Sequence, residues 1–230
     1  MFIVPFVSGP WQANCYLLSV QPGRPSDPQP AVVIDPGVAT RKTIEELLTR
    51  HSLRLAGVLL THGHIDHVAD AAELANDHQV PVWLHPNDRA MLTQPGLGLG
   101  PEGAFLVASV LGSDRLPAPN DLRELSDGQQ LELAGLGFEV LHSPGHTPGC
   151  VVLRSEHEGS PVLFSGDVLF AGSMGRVDLP GGSMAEMTVS LRRLRTEIDA
   201  ATSILPGHGP ATTMAAELAN NPYLTQEILG

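Results

Sequence analysis

Residues 57–67 read Gly-Val-Leu-Leu-Thr-His-Gly-His-Ile-Asp-His. A short apolar run passes directly into a segment that carries His62, His64, Asp66 and His67 within six positions. The run reads as a buried strand and the segment as a loop opening from its end. Neutral imidazole suits zinc or iron, and a carboxylate adds an anionic oxygen. A catalytic ion takes about three protein ligands and keeps a place for water. Four ligand side chains on one loop therefore predict a centre with more than one ion. They also constrain the fold, because the remaining ligands must arrive from other strand ends on the same side of the molecule.

The rest of the first half alternates short apolar runs with helical periods. Residues 2–4, 15–18, 31–34, 55–60 and 80–84 are apolar or β-branched runs bounded by turn residues, and predict strands. Ile44, Leu47 and Leu48 show the helical spacing over residues 40–50, and the alanine-rich residues 68–78 predict a second helix. Residues 86–92 predict a short third one. The second half returns to strands, with a hairpin over 130–141 around Gly135 and Gly137, then 150–153, 161–164 and 203–205. Met187, Leu191, Leu194 and Ile198 form one stripe of a helix over 184–198, and residues 211–220 predict a last helix. This order predicts an α/β fold, an αββα sandwich of two mixed sheets flanked by helices, as one domain over residues 1–230. Residues 93–120 hold four prolines, five glycines and an apolar middle at 104–111. We expect this segment to cover the site and to contain a short helix, with a plain surface excursion as the alternative.

Three further segments put a ligand type where a strand ends in a turn. His146 lies in Pro-Gly-His-Thr-Pro-Gly, Asp167 in Ser-Gly-Asp, and His208 in Pro-Gly-His-Gly-Pro. Sites in open α/β architectures gather at such ends. The inventory becomes His62, His64, Asp66, His67, His146, Asp167 and His208. Seven ligands suit two ions with one bridging carboxylate, and two ions about 3.5–4 Å apart can share a hydroxide and clamp a substrate oxygen.

In order and spacing these motifs resemble the metallo-β-lactamase superfamily, over nearly the whole chain from Asn14-Cys15-Tyr16 and Ile34-Asp35-Pro36-Gly37 onward. Residues 175–182, Gly-Arg-Val-Asp-Leu-Pro-Gly-Gly, are similar to a loop of short glyoxalase II-like hydrolases. The resemblance implies His62, His64 and His146 on one metal, Asp66, His67 and His208 on a second, and Asp167 bridging. It implies two divalent ions, zinc first and iron or manganese as alternatives. Asp66 would also orient the nucleophile. The implied reaction is hydrolysis of a small-molecule acyl-thiol, such as a hydroxyacyl-glutathione thioester. Longer glyoxalase II enzymes add a C-terminal helical domain with basic residues for glutathione; no such domain is expected here, and Lys42 is the one lysine. Arg176 is the candidate for a substrate carboxylate, with an ion pair to Asp178 as its alternative. Three other functions stay open. A persulfide dioxygenase would hold one iron through His62, His146 and Asp167. A lactonase or esterase would share the metal core. A non-catalytic module would keep the metals for structure.

Charge and cysteine content narrow the remainder. A net charge of −12 argues against nucleic acid as partner. Two cysteines, Cys15 and Cys150, make no disulfide framework, and residues 1–10 do not read as a signal peptide. No apolar run reaches the roughly 20 residues of a membrane span. These observations predict a soluble, cytoplasmic protein. Cys150 is expected to pack in the core, Asp35 to serve its turn and His142 to pack, with orienting a ligand as the alternative for each of these two, His85 to cap a strand end, and His51, His78 and His157 to lie at the surface. Arg192, Arg193 and Arg195 are expected to form a solvated helix face.

Overall fold

Apolar side chains point both ways along the central strands, so each sheet needs a cover on both faces. The computed structural model, described for residues 1–225, meets that need with four layers. The last five residues of the domain expected over 1–230 lie outside the described residues.

The first sheet holds β1 (Phe2–Ser8), β2 (Ala13–Ser19), β3 (Gln29–Ile34), β4 (Leu53–Leu59), β5 (Val82–Leu84) and β6 (Leu122–Glu124), in that spatial order. The first three strands run antiparallel, and β3 to β6 are parallel neighbours. Their crossovers contain α1 (Arg41–Arg50), α2 (Ile65–Val68), α3 (Ala71–His78), α4 (Arg89–Thr93) and α5 (Gly103–Leu111). The second sheet holds β7 (Gln130–Leu133), β8 (Leu136–His142), β9 (Val151–His157) and β10 (Ser160–Gly166). A small hairpin of β11 (Leu169–Phe170) and β12 (Ser173–Met174) follows, then α6 (Met184–Glu197), β13 (Ser203–Pro206), β14 (Thr212–Thr213) and α7 (Met214–Asn220). Its spatial order is β14-β13-β10-β9-β8-β7, with only β10 and β13 parallel.

The two-residue period of a strand sorts the side chains into layers. Tyr16 and Leu18 of β2 face Phe138, Val140 and Phe164 of the second sheet in the inter-sheet core. Cys15 and Leu17 turn the other way, onto Ile44, Leu47 and Leu74 of α1 and α3. On the outer face of the second sheet, Leu141, Val152 and Leu163 meet Met187, Leu191 and Leu194 of α6. Cys150 is buried in that layer, as expected. The fold is the mixed αββα sandwich expected from the sequence.

Two helix starts differ from expectation. The helix expected over 68–78 begins earlier, at Ile65, and breaks at Ala69–Asp70, because the Asp70 carboxylate turns away to accept from the backbone N–H groups of Thr40 and Arg41. The helix expected from 211 begins at Met214, because Thr212 and Thr213 first pair with Ile204 and Ser203. No helix among the described residues is long and apolar enough to cross a membrane.

Candidate metal centre

The ligand types sit past the C-terminal ends of β4, β8, β10 and β13, which open on one edge of the sandwich. His62 and His64 follow β4, and Asp66 and His67 lie in the first turn of α2. His146 lies between β8 and β9, Asp167 follows β10, and His208 follows β13. All seven residues of the sequence inventory come together. The ligand atoms of His62, His64 and His146 lie within 4.8 Å of one another, as do those of Asp66, His67 and His208. Asp167 spans the two groups: Oδ2 is 3.5 Å from His146 Nε2 and 3.5 Å from His208 Nε2, and Oδ1 is 3.5 Å from His67 Nε2. These clusters suit a binuclear metal site.

Hydrogen bonds aim the imidazoles. The Thr61 hydroxyl donates to Asp35 Oδ2 at 2.6 Å, so its oxygen accepts from His62 Nδ1 at 3.1 Å. His67 Nδ1 donates to the same carboxylate at 3.0 Å, and His146 Nδ1 donates to the Arg176 carbonyl at 2.7 Å. With their Nδ1 protons engaged, these three rings turn Nε2 inward, where a lone pair is exposed once the ring is neutral. Ring nitrogens then face each other at close range. His64 Nδ1 is 2.8 Å from His146 Nε2, and His67 Nε2 is 3.3 Å from His208 Nε2. His62 Nε2, His64 Nε2 and Asp167 Oδ1 are buried without a hydrogen-bond partner. Such groups are costly to bury unsatisfied, and a cation between them removes the cost. The donor set fits zinc or iron.

Backbone packing holds the loops at this distance. A Cβ on Gly207 would stand 2.1 Å from Asp167 Oδ1, and one on Gly98 would stand 2.6 Å from His64 Cδ2, so only glycine admits either approach. The loop carrying His208 is pinned from the far end of the chain. Asn14 Nδ2 donates to the carbonyls of Pro206 and Gly209, and the Tyr16 hydroxyl donates to Pro206.

Two buried acids support the loops. Asp35 does sit at its expected turn, with a positive φ of 53°. Its carboxylate does more than that: it also accepts from Thr61 N at 2.8 Å, so it holds both ends of the histidine loop. Asp88, which carried no sequence expectation, is fully buried and accepts from Gly63 N, Gly149 N and Thr147 Oγ1 at 2.8, 2.7 and 2.6 Å. It ties the His62–His64 loop to the His146 loop. His85 and His142 stack with centroids 4.0 Å apart, and His142 Nε2 donates to the Pro148 carbonyl. Both therefore buttress the His146 loop from outside the cluster. Arg193 reaches Asp127 and Glu197, so the arginine face of α6 is partly ion-paired.

Burial and neighbouring imidazoles hold His62 well below its ordinary pKa, and burial with His146 pushes His64 down to about 3. Both are neutral, the form that binds metal. Burial also opposes a charge on His67, but Asp167, Asp66 and Asp35 outweigh it and push the ring up to about 10. Burial disfavours the Asp66 carboxylate, yet His67 and His208 hold its pKa below the usual carboxylate range. The field that keeps a proton on His67 is the field that attracts a cation in its place. Zinc titrated into metal-free protein at about pH 7.5 should therefore release about one proton or more per chain, and affinity should rise with pH until His67 has lost its proton. Calorimetry in buffers of different ionisation enthalpy measures this; an observed heat independent of buffer would contradict it.

A cleft of about 520 Å³ opens over the cluster. His64, Asp66, His146, Asp167 and His208 form its polar part, and Leu99 and Leu106, from the 93–120 segment, join its apolar wall. Arg176 lines it too, but its guanidinium pairs bidentately with Asp178, at 2.7 and 2.8 Å.

Comparison with known proteins agrees with this geometry. The family described as the metallo-beta-lactamase superfamily matches residues 8–208. An uncharacterized protein of Mycobacterium tuberculosis is 40% identical over 228 residues, covering 97% of this chain and 98% of that one. The hydroxyacylglutathione hydrolase GloC of Haemophilus influenzae is 34% identical over 232 residues, covering 98% of each. The solved structure of TTHA1623 in a di-iron-bound form is 38% identical with a TM-score of 0.76, covering 96% of this chain and 100% of that one.

Proposed function

Because the chain belongs to the metallo-β-lactamase superfamily, a group of metallo-hydrolases, we propose that it hydrolyses a thioester of a small acyl-thiol with two divalent ions at this centre. The observation that carries the reading is the inward set of Nε2 atoms from His62, His67 and His146 around Asp167, whose Oδ1 is buried without a hydrogen bond. His62, His64 and His146 would hold one ion, Asp66, His67 and His208 the other, with Asp167 bridging. Zinc is the first choice, and the di-iron relative supports iron as the alternative. Bound metal supplies a water acidified towards neutrality and a Lewis acid for the carbonyl.

The chain's own residues do the rest. Asp66 stays ionised at the cleft and can accept a hydrogen bond from the attacking water. Asp35 and the Arg176 carbonyl keep His67 and His146 in their tautomers. Asp88 keeps the two loops in register. The thioester reading draws on the GloC relative. The one-iron persulfide dioxygenase alternative would leave Asp66 and His208 without a task, although Asp66 Oδ2 lies 3.2 Å from His208 Nε2. A purely structural site would have no reason to open on a cleft.

Metal-replete protein should hydrolyse members of a thioester panel that includes S-lactoylglutathione, and chelation should abolish the activity. If thioesters, esters and lactones all stay intact, the hydrolase reading fails. One iron per chain with oxygen uptake on glutathione persulfide would replace it with the dioxygenase.

A further inference from the structure

Helix α5 is composed as though it were buried, yet it is not. Its sequence, Gly-Ala-Phe-Leu-Val-Ala-Ser-Val-Leu, contains no charged residue, and an all-apolar helix normally lies inside a protein. Here Val107 is its one buried large side chain, packed on Ile65 and Val38. Phe105 is 79% exposed, Leu106 42% and Val110 37%. Neighbouring Leu97 is exposed as well, so the helix and the turn before it present apolar surface to water.

That surface is continuous with the metal cleft. Leu106 lines the cleft together with Trp11, Leu99, Phe170 and Leu179. The wall therefore runs from the ligand residues His64 and Asp66 out onto α5. Free cationic charge is scarce along the same path. Among the described residues lining the cleft, Arg176 is the one Lys or Arg, and Asp178 neutralises it bidentately. A glutathione or nucleotide thiol brings carboxylates or phosphates that need cationic partners. The chain's net charge of −12 disfavours the approach of such anions further.

Resting on the hydrolase reading above, we infer that the substrate is an uncharged thioester whose apolar acyl chain lies along Trp11, Leu99 and Leu106 and reaches α5. Each methylene half-buried on such an open wall strengthens binding about twofold, and a fully buried one about fourfold, until the chain passes the end of the helix.

The inference is tested by binding to the metal-free protein, which keeps it separate from hydrolysis. The probes are non-hydrolysable thioethers: S-methyl- and S-hexyl-N-acetylcysteamine, which are neutral, and S-hexylglutathione, which is anionic. Binding is followed by the fluorescence of Trp11 at the cleft, with calorimetry as a second readout. We expect the neutral hexyl probe to bind at least about 30-fold tighter than the methyl probe and about tenfold tighter than S-hexylglutathione. Leu106→Asp, on an exposed helix face, should erase most of the hexyl advantage, and Phe105→Ser a smaller part. Equal binding of methyl and hexyl probes would overturn the inference, as would tighter binding of S-hexylglutathione. A dimer that buries α5 and excludes the hexyl probe would also overturn it. Absence of hydrolysis with the expected binding order would fall on the thioester chemistry instead.

Discussion

Asp167→Ala should lower thioester kcat/KM by about three orders of magnitude or more and leave about one metal ion per chain where the parent holds two. The size of the effect follows from where this carboxylate sits. Its two oxygens lie 3.5 Å from imidazoles of both ligand groups, and Oδ1 is buried without a partner of its own. Asp35, the other carboxylate near both His62 and His67, is already occupied by His67 Nδ1 and by the Thr61 N–H and hydroxyl groups. Gly207 comes so close that a larger neighbour would displace it. Removing the carboxylate leaves two sets of three ligands with no shared anion between two like charges. The second ion, held by Asp66, His67 and His208, should be the one lost, since His208 is the most exposed of the imidazoles. Asp167→Asn keeps the shape but not the charge and should fall between the two. Metal analysis beside steady-state kinetics checks this: two retained ions with activity within tenfold of the parent would remove Asp167 from the bridging position.

The second large effect is on stability. Asp88→Ala should destabilise the metal-free protein by about 3–5 kcal/mol, because three buried donors lose their acceptor together. The carboxylate is 0% exposed and receives the N–H groups of Gly63 and Gly149 and the Thr147 hydroxyl. Burial pushes its pKa up, and these donors pull it back down. Asp88→Asn turns an NH₂ group towards groups that are already donors, so it should recover little. The loops fastened here carry His62, His64 and His146, so zinc affinity should also fall by about 10- to 100-fold. Urea unfolding of the metal-free variant and a competitive zinc titration measure the two effects. A variant within about 1 kcal/mol of the parent would show that the loops hold their places without the carboxylate.

The ligand positions were legible because each falls where an apolar run meets a Gly/Pro turn, and side-chain chemistry together with that position is a local signal. His146, Asp167 and His208 each show it. The helix inside 93–120 was legible from its apolar middle, and Leu99 and Leu106 of that segment do face the cleft. Asp88 was not legible as a support, and Asp35 only as an alternative suggested by the resemblance. Asp35 reaches Thr61 because β3 and β4 are parallel neighbours with Ile34 opposite Leu59, and no local pattern states which strands are neighbours. Asp88 lies one turn beyond β5 and meets Gly149 across the sandwich, so its partners are decided by how the sheets stack. In both cases the available signal was an acid a few positions past a buried strand, where an unpaired charge is costly. Arg176 shows the reverse. Its guanidinium suggested a ligand for carboxylate, while its backbone carbonyl is what touches the centre.

The pinning of the His208 loop by Asn14 and Tyr16 has a consequence for how the molecule is made. These contacts join residues about 190 positions apart, and contacts of such separation form late, since a long loop must close first. On a ribosome the segment bearing His62, His64 and His67 emerges well before Pro206 exists to accept from Tyr16. The nascent chain can thus complete the His62, His64 and His146 set only after residue 146, and the Asp66, His67 and His208 set only after residue 208. A chain in which both sets are assembled has, by that fact, joined β2 to the end of β13.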